Sequence, residues 1–204
     1  MPRVQPEEWN ERYASTDLVW GVAPNRFVAE ELGDLPPGRG LDLACGEGRN
    51  AIWLAQRGWR VTAVDFAAVA IEKGRKLAAS EGVDVDWRVE DVTAWTPAPG
   101  AFDLVCIAYL QLAAHQRAQA FERAAAAVAP RGTFFVVAHD SRNLTDGHGG
   151  PQDAGVLYTA GDVVGFLDGF EVVRAGEVFR TLTRADGTNV EAIDCLVRAV
   201  RTSA

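Results

Sequence analysis

The stretch "LDLACGEGRNA", Leu41 to Ala51, constrains this chain more than any other. An apolar strand that breaks into a glycine turn and restarts as a helix is the opening unit of a helix-covered parallel sheet. Such a unit binds ligands beyond the carboxyl end of the strand. Gly46 and Gly48 let the backbone approach a ligand with no Cβ in the way. As a pattern, Gly46 to Ala51 fits the dinucleotide signature G-x-G-x-x-G/A, and Asp65 follows roughly 20 residues on, where that signature keeps its ribose-binding acid. The turn therefore holds either NAD or another adenosyl cofactor.

The rest of the sequence alternates strand and helix patterns, as an α/β sheet requires. Strands are expected at 40–44, 60–65, 84–89, 102–108 and 133–140, with helices at about 49–57, 67–80 and 114–128. Pro130 and Gly132 stop the last helix. Between the third and fourth strands, "EDVTAWTPAPGA" leaves room for little more than one helical turn. After a short helix at 162–170, residues 170–180 and 191–201 read as two long strands joined by a turn at Asp186-Gly187. A run of crossover units thus ends in an antiparallel hairpin.

Two segments fall outside this scheme. Residues 1–38 carry Trp9, Tyr13, Trp20 and Phe27 and read as a helical cap or lid. Residues 141–159 have no clear period; a connection this long is either a functional loop or a disordered insertion. The whole chain, 1–204, reads as one domain, since 204 residues suffice for a single sizeable core. The net charge of −8 argues against a nucleic-acid partner, which would demand clustered Lys and Arg. No apolar run approaches the ~20 residues of a membrane span, and the first residues show no secretory pattern, so the cytoplasm is the expected compartment. Cys45, Cys106 and Cys195 have no metal-ligand spacing and read as buried thiols; no metal is expected.

Charge separates the two cofactors. NAD would set a pyrophosphate beside Asp42 and Glu47, two carboxylates on the strand and the turn, which repel it. The same carboxylates attract S-adenosylmethionine, which carries an ammonium and a sulfonium. Asp65 suits ribose hydroxyls in either case, and Asp91, with Val92, can accept from an adenine amino group. The terminal hairpin is also unlike a dehydrogenase.

At these residues the chain resembles the class I S-adenosylmethionine-dependent methyltransferases. "LDLACGEGRNAIWLAQRGWRVTAVDFAAVAIEKG" is similar to that family's first two motifs, "EDV" to its adenine-binding acid and "FDLVCIAYLQL" to its fourth motif. The opening "WNERYASTDLVWGVAPNRFVAEEL" is similar to the tellurite-resistance and thiopurine methyltransferase-like branch. The resemblance implies a Rossmann-like seven-stranded sheet of order 3-2-1-4-5-7-6, last strand antiparallel, with flanking helices. It also implies that Asp42, Gly46 and Gly48 surround the methionine part, Asp65 the ribose, and Asp91 with Val92 the adenine. Ala44, Asn50, Phe66 and Ile107 complete the expected cofactor set. Tyr13 and Trp20 either close over the sulfonium or simply staple a helix to the sheet.

Methyl transfer is an in-line displacement that alignment and water exclusion can promote; a base is needed only where the acceptor carries a proton that must leave. His139 and Asp140, at the end of the fifth strand, are the candidate catalytic groups. Their bland counterparts are a satisfied strand-end histidine and an Asx turn. Tyr109, Asn143, His148 and Arg180 are the candidate acceptor contacts. His115 reads as a surface residue. The expected function is methylation of a small molecule, through a soft sulfur, selenium or tellurium nucleophile or a metabolite hydroxyl or amine, by a monomer or homodimer that yields S-adenosylhomocysteine. The alternatives are a non-catalytic cofactor-binding module with a protein partner and, less favoured, an NAD-dependent oxidoreductase.

Overall fold

The computed structural model describes residues 6–203; residues 1–5 of the expected cap lie outside this range, as does Ala204. The elements in order are α1 (Pro6–Ala14), α2 (Arg26–Leu32), β1 (Arg39–Leu43), α3 (Arg49–Gln56), β2 (Arg60–Asp65), α4 (Ala68–Ser80) and β3 (Asp86–Val89). They continue with β4 (Phe102–Ala108), α5 (Ala114–Ala127), β5 (Val128–His139), α6 (Asn143–Asp146), α7 (Ala160–Val164), β6 (Phe170–Thr183) and β7 (Asn189–Arg201). The strands form one seven-stranded sheet of order β3-β2-β1-β4-β5-β7-β6. Neighbours from β3 to β5 are parallel, and β7 runs antiparallel to both β5 and β6. This is the expected fold class.

Both faces of the central strands are covered, so their sequences run apolar without alternation. The pleat sends successive residues to opposite layers. Val105 and Ile107 of β4 join Phe121, Phe134 and Tyr158 on the α5 side. Leu104 and Cys106 join Phe27, Leu54, Trp59 and Phe135 on the α2–α4 side. Phe121 organises the first layer, meeting Phe134, Tyr158 and Phe166 edge-on, the arrangement that ring quadrupoles favour.

Boundaries shift where tertiary pairing overrides local signals. β3 starts at Asp86, not at 84, because only Asp86–Val89 finds β2. The third connection contains no helix; Asp91 Oδ1 instead closes a turn by accepting from Thr93 N and Oγ1. α7 starts at Ala160 and covers five residues, fixed by a capping box in which Thr159 and Asp162 satisfy each other's backbone. Residues 141–159 are neither an open insertion nor a periodic element. Asn143 accepts from Ile193 N at 2.7 Å and donates to Gly149 O at 2.8 Å, and the fully buried Tyr158 donates to Leu110 O. Two buried polar side chains thus pin a segment whose sequence has no period. Among the described residues no helix is long and apolar enough to cross a membrane.

Candidate functional site

Beyond the carboxyl ends of β1, β2, β4 and β5 lies a cavity of about 850 Å³, roofed by the N-terminal segment. Ten of the residues expected in the site line it: Tyr13, Trp20, Ala44, Gly46 and Asn50, then Asp65, Phe66, Tyr109, His139 and Arg180. Gly48, Asp42 and Ile107 lie beneath it, buried. Asp91 and Val92 follow β3 outside the lining.

The turn after β1 is built from left-handed backbone: Ala44, Gly46 and Gly48 have φ of 59°, 56° and 76°. Gly48 has a second reason to be glycine, because a Cβ there would stand 2.2 Å from Cη2 of Trp87. Asp65 braces the turn from β2. Its Oδ2 accepts from Gly46 N at 2.8 Å and its Oδ1 from Ala67 N at 2.9 Å. Burial raises its pKa, against the pull of those amides. An ionised carboxylate has about four acceptor sites, more than these backbone amides fill, so acceptor capacity remains for a ligand.

Asp42 is the anomaly beneath this turn. It is 1% exposed and neither of its oxygens makes a well-aligned hydrogen bond, although the Ala51 backbone amide and the Arg49 charge offset part of its burial. Burial pushes its pKa up to about 7, with the nearby Asp65 adding to the rise. A buried, unmatched carboxylate is costly unless something positive approaches it. Arg49, the first residue of α3, lines the cavity and donates to Trp20 O at 3.2 Å; burial lowers its pKa. Sequence inspection passed over Arg49 because it stands at a variable position of the glycine pattern.

Glu47 lines the cavity and also ties down the N-terminal segment. Its buried carboxylate accepts from Val19 N at 2.9 Å and from Trp20 N at 3.3 Å, with Lys73 Nζ 3.6 Å away. Lys73 also donates to the carbonyls of Tyr13 and Thr16, and Val69 N donates to Asn10. The glycine turn and α4 thereby strap down the aromatic segment. Trp20 Nε1 donates to Tyr13 Oη, and Arg12 stacks on Trp9 and Trp20.

At the other end of the cavity the chain assembles three groups around one acid. Asp194 on β7, fully buried, receives Tyr109 Oη at 2.7 Å and Arg180 Nε at 2.9 Å on Oδ2. His139 Nδ1 lies 3.1 Å from its Oδ1, close but off-line, so that Nδ1 makes no aligned hydrogen bond. Burial alone would raise the pKa of Asp194; the contacts from His139, Arg180 and Tyr109 outweigh it and hold the carboxyl below its ordinary value. Tyr109 sits at φ 60°, with its ring 4.9 Å from that of His139. This is an unusual backbone state for a bulky residue, of the kind that collects at functional sites. No local motif in the sequence marks Asp194 for this place. The available signal was an acid between Ile193 and Cys195 in an otherwise buried run.

Three expected site residues stand elsewhere. Asp140 is buried outside the lining, its Oδ1 accepting from Arg142 N in an Asx turn. Asn143 is consumed in pinning the loop, as described above. His148 is exposed and apart from the cavity. His115 is exposed, as expected. The three cysteines are buried and free.

Residues 41–132 match the family described as "Methyltransferase domain". Among curated proteins, the chain is 37% identical over 87 residues to a ubiquinone biosynthesis O-methyltransferase of Methylocella silvestris, covering 43% of this chain and 33% of that one. It is 34% identical over 112 residues to a protein of the same name from Xanthomonas campestris pv. campestris, covering 54% and 46%. The chain thus spans one third to one half of the length of these relatives. Two solved structures share the fold: TehB from Haemophilus influenzae, with TM-score 0.75, 18% identity and coverage of 90% and 64%, and the N-methyltransferase NodS from Bradyrhizobium japonicum in complex with S-adenosylhomocysteine, with 0.73, 19%, 97% and 99%.

Proposed function

We propose that the chain is a class I S-adenosylmethionine-dependent methyltransferase that acts on a small-molecule acceptor, a reading supported by the methyltransferase-domain match over residues 41–132 and by the sheet order. The observation that carries this reading is Asp42, a buried carboxylate with no well-aligned hydrogen bond, on the strand that leads into a turn whose backbone is open to a ligand. A cofactor bearing an ammonium supplies the missing positive charge; a pyrophosphate would add repulsion. The other wall groups fit the same molecule. Arg49, beside the N-terminus of α3, suits its carboxylate. Asp65 retains acceptor capacity for ribose hydroxyls, and Asp91 with Val92, outside the lining, would reach the adenine only from beyond the end of β3. Tyr13 and Trp20 offer ring faces, which attract a cation, and the strap that holds them excludes water.

When bound, S-adenosylmethionine supplies a methyl group on a sulfonium that departs as a neutral thioether. The chain's own part is to align, to keep water out, and to accept a proton where the acceptor has one to lose. His139 is the group lining the acceptor end that can accept it, and Arg180 and Tyr109 shape the same wall. The volume of about 850 Å³ accommodates a cofactor with a compact acceptor, not a macromolecule. Two relatives named as O-methyltransferases make a hydroxyl acceptor the first to try.

Calorimetry with S-adenosylhomocysteine tests the cofactor, and a turnover screen across phenol, thiol, amine and selenite acceptors tests the reaction. Binding of S-adenosylhomocysteine, with none of NADH, is the expected result. Binding without product across the screen favours a cofactor-sensing module, and no binding at all removes the reading.

A further inference from the structure

We infer that Asp194 is a positioning residue that fixes the tautomer of His139, holding the proton on Nδ1 and leaving Nε2 as the basic atom of the acceptor site. The inference rests on the methyl-transfer reading for its consequence, but not for its geometry. His139 and Asp194 are directly opposed in the β5–β7 register, so both side chains project from one face. Nδ1 is buried, and the carboxylate oxygen 3.1 Å away stands opposite it. A bare Nδ1 would hold its lone pair close to that anion in a buried setting, a repulsion even though the contact is off-line. A protonated Nδ1 turns the same contact into an attraction. In a neutral imidazole only one ring nitrogen carries hydrogen, so Nε2 is then the acceptor.

The surroundings keep the pair from rearranging. Asp194 cannot swing away, because Tyr109 Oη and Arg180 Nε both hold its Oδ2. Arg180 also balances its charge, so Asp194 stays ionised without drawing the proton off His139. The ring is covered by Gly150, where a Cβ would stand 2.9 Å from Nδ1 and 3.0 Å from Cε1 and Cγ. Gly150 has φ 75°, so two independent reasons keep that position free of a side chain. The ring is 15% exposed and borders the cavity. The off-line contact is the kind that tightens when a ligand fills such a site. During transfer, the acceptor's lone pair forms the new bond to the methyl carbon as the carbon–sulfur bond breaks, and the acceptor's proton passes to Nε2. The resulting imidazolium keeps Nδ1–H against Asp194, where the charge is stabilised.

The test needs no acceptor. Long-range proton–nitrogen NMR of the protein labelled at histidine, at about pH 8.5 where an ordinary imidazole is neutral, reports which nitrogen carries hydrogen. The chain has three histidines, and His139→Gln assigns the signal of interest. His139 should show a protonated Nδ1 and a bare Nε2, while exposed His115 and His148 show the averaged pattern of free imidazole. A His139 spectrum with hydrogen on Nε2, or averaged like the others, overturns the proposal in the wild-type protein alone. In Asp194→Asn, if it folds, the Nδ1–H preference must weaken; its persistence would mean that another group sets it. With an acceptor in hand, kcat of this variant should fall about 100-fold or more with little change in KM for S-adenosylmethionine. Failure of S-adenosylhomocysteine to bind is a separate result: it removes the methyl-transfer reading and leaves the tautomer as measured.

Discussion

Replacing Asp42 by Asn should make the ligand-free protein more stable and the liganded one weaker. Burial moves this carboxyl from the ordinary 3.8 to about 7. Each pH unit is worth about 1.4 kcal/mol, so ionising Asp42 is about 4 kcal/mol harder in the folded chain than in the unfolded one. The sign follows from proton binding. Below about pH 4 both states are protonated and Asp42 contributes no pH dependence. Between about pH 4 and 7 the folded state holds a proton that the unfolded state has released, so stability falls as pH rises. Above pH 7 the full penalty is in place. Asn is neutral throughout and leaves the same polar atoms unmatched, so the variant should gain roughly 2–4 kcal/mol at pH 8 and little near pH 4. Urea unfolding at the two pH values measures the difference. A bound ammonium should reverse the effect: S-adenosylhomocysteine binding near pH 6 should release up to about one proton from wild type, read from calorimetry in buffers of different ionisation heat. The variant should release less and bind about 10- to 100-fold more weakly, by loss of one charge-assisted interaction. Parallel stability curves for the two proteins between pH 4 and 8 would refute the argument.

Gly48→Ala should lose at least about 3 kcal/mol in thermal or urea unfolding, since the methyl meets Trp87 and the left-handed backbone resists any side chain; a loss under 1 kcal/mol would mean that Trp87 moves freely. Glu47→Ala removes two charge-assisted amide contacts of about 1.5–3 kcal/mol each and should speed protease cleavage within residues 15–25 while the sheet stays protected. Asp65→Ala should weaken S-adenosylhomocysteine binding by 10-fold or more, from about 1.5–3 kcal/mol of lost hydrogen bonding; unchanged affinity would undermine its assignment to the ribose. Arg180→Ala strands Asp194 without its cation and should cost about 3–5 kcal/mol, and the double variant with Asp194→Ala should lose less than the two single losses added together.

How far the sequence could be read varied with the range of the signal. The β1 turn, the alternation of strands and helices and the closing hairpin rest on local patterns, whereas the sheet order was implied by the family resemblance, and each stands as expected. Asp42 and Asp65 were singled out for their charge beside a glycine turn, an inference over a few residues. Glu47 was read only as a second charge in that turn, and its partners, Val19 and Trp20, lie almost thirty residues upstream. Asp194 faces Tyr109 across 85 positions, and no local period encodes such a contact. The loop at 141–159 looked structureless because its order comes from two side chains, Asn143 and Tyr158, and not from a repeat. Asp140, adjacent to His139, was carried along by proximity in sequence, whereas the strand turns its side chain out of the cavity.

The pairing of His139 with Asp194 across β5 and β7 has a consequence in the order of synthesis. β7 is the last of the seven strands in the sequence, yet it inserts between β5 and β6, beside strands made earlier. Domains begin to fold as the chain emerges, and the glycine turn with its bracing Asp65 is complete once β2 and α4 exist. The acceptor end is not. Until β7 arrives, His139 has no carboxylate, Arg180 no counter-ion and Tyr109 no acceptor for its hydroxyl. On the proposed reading, a nascent chain would grip its cofactor before it could organise an acceptor, and a late, long-range strand pairing would set the moment at which binding becomes chemistry.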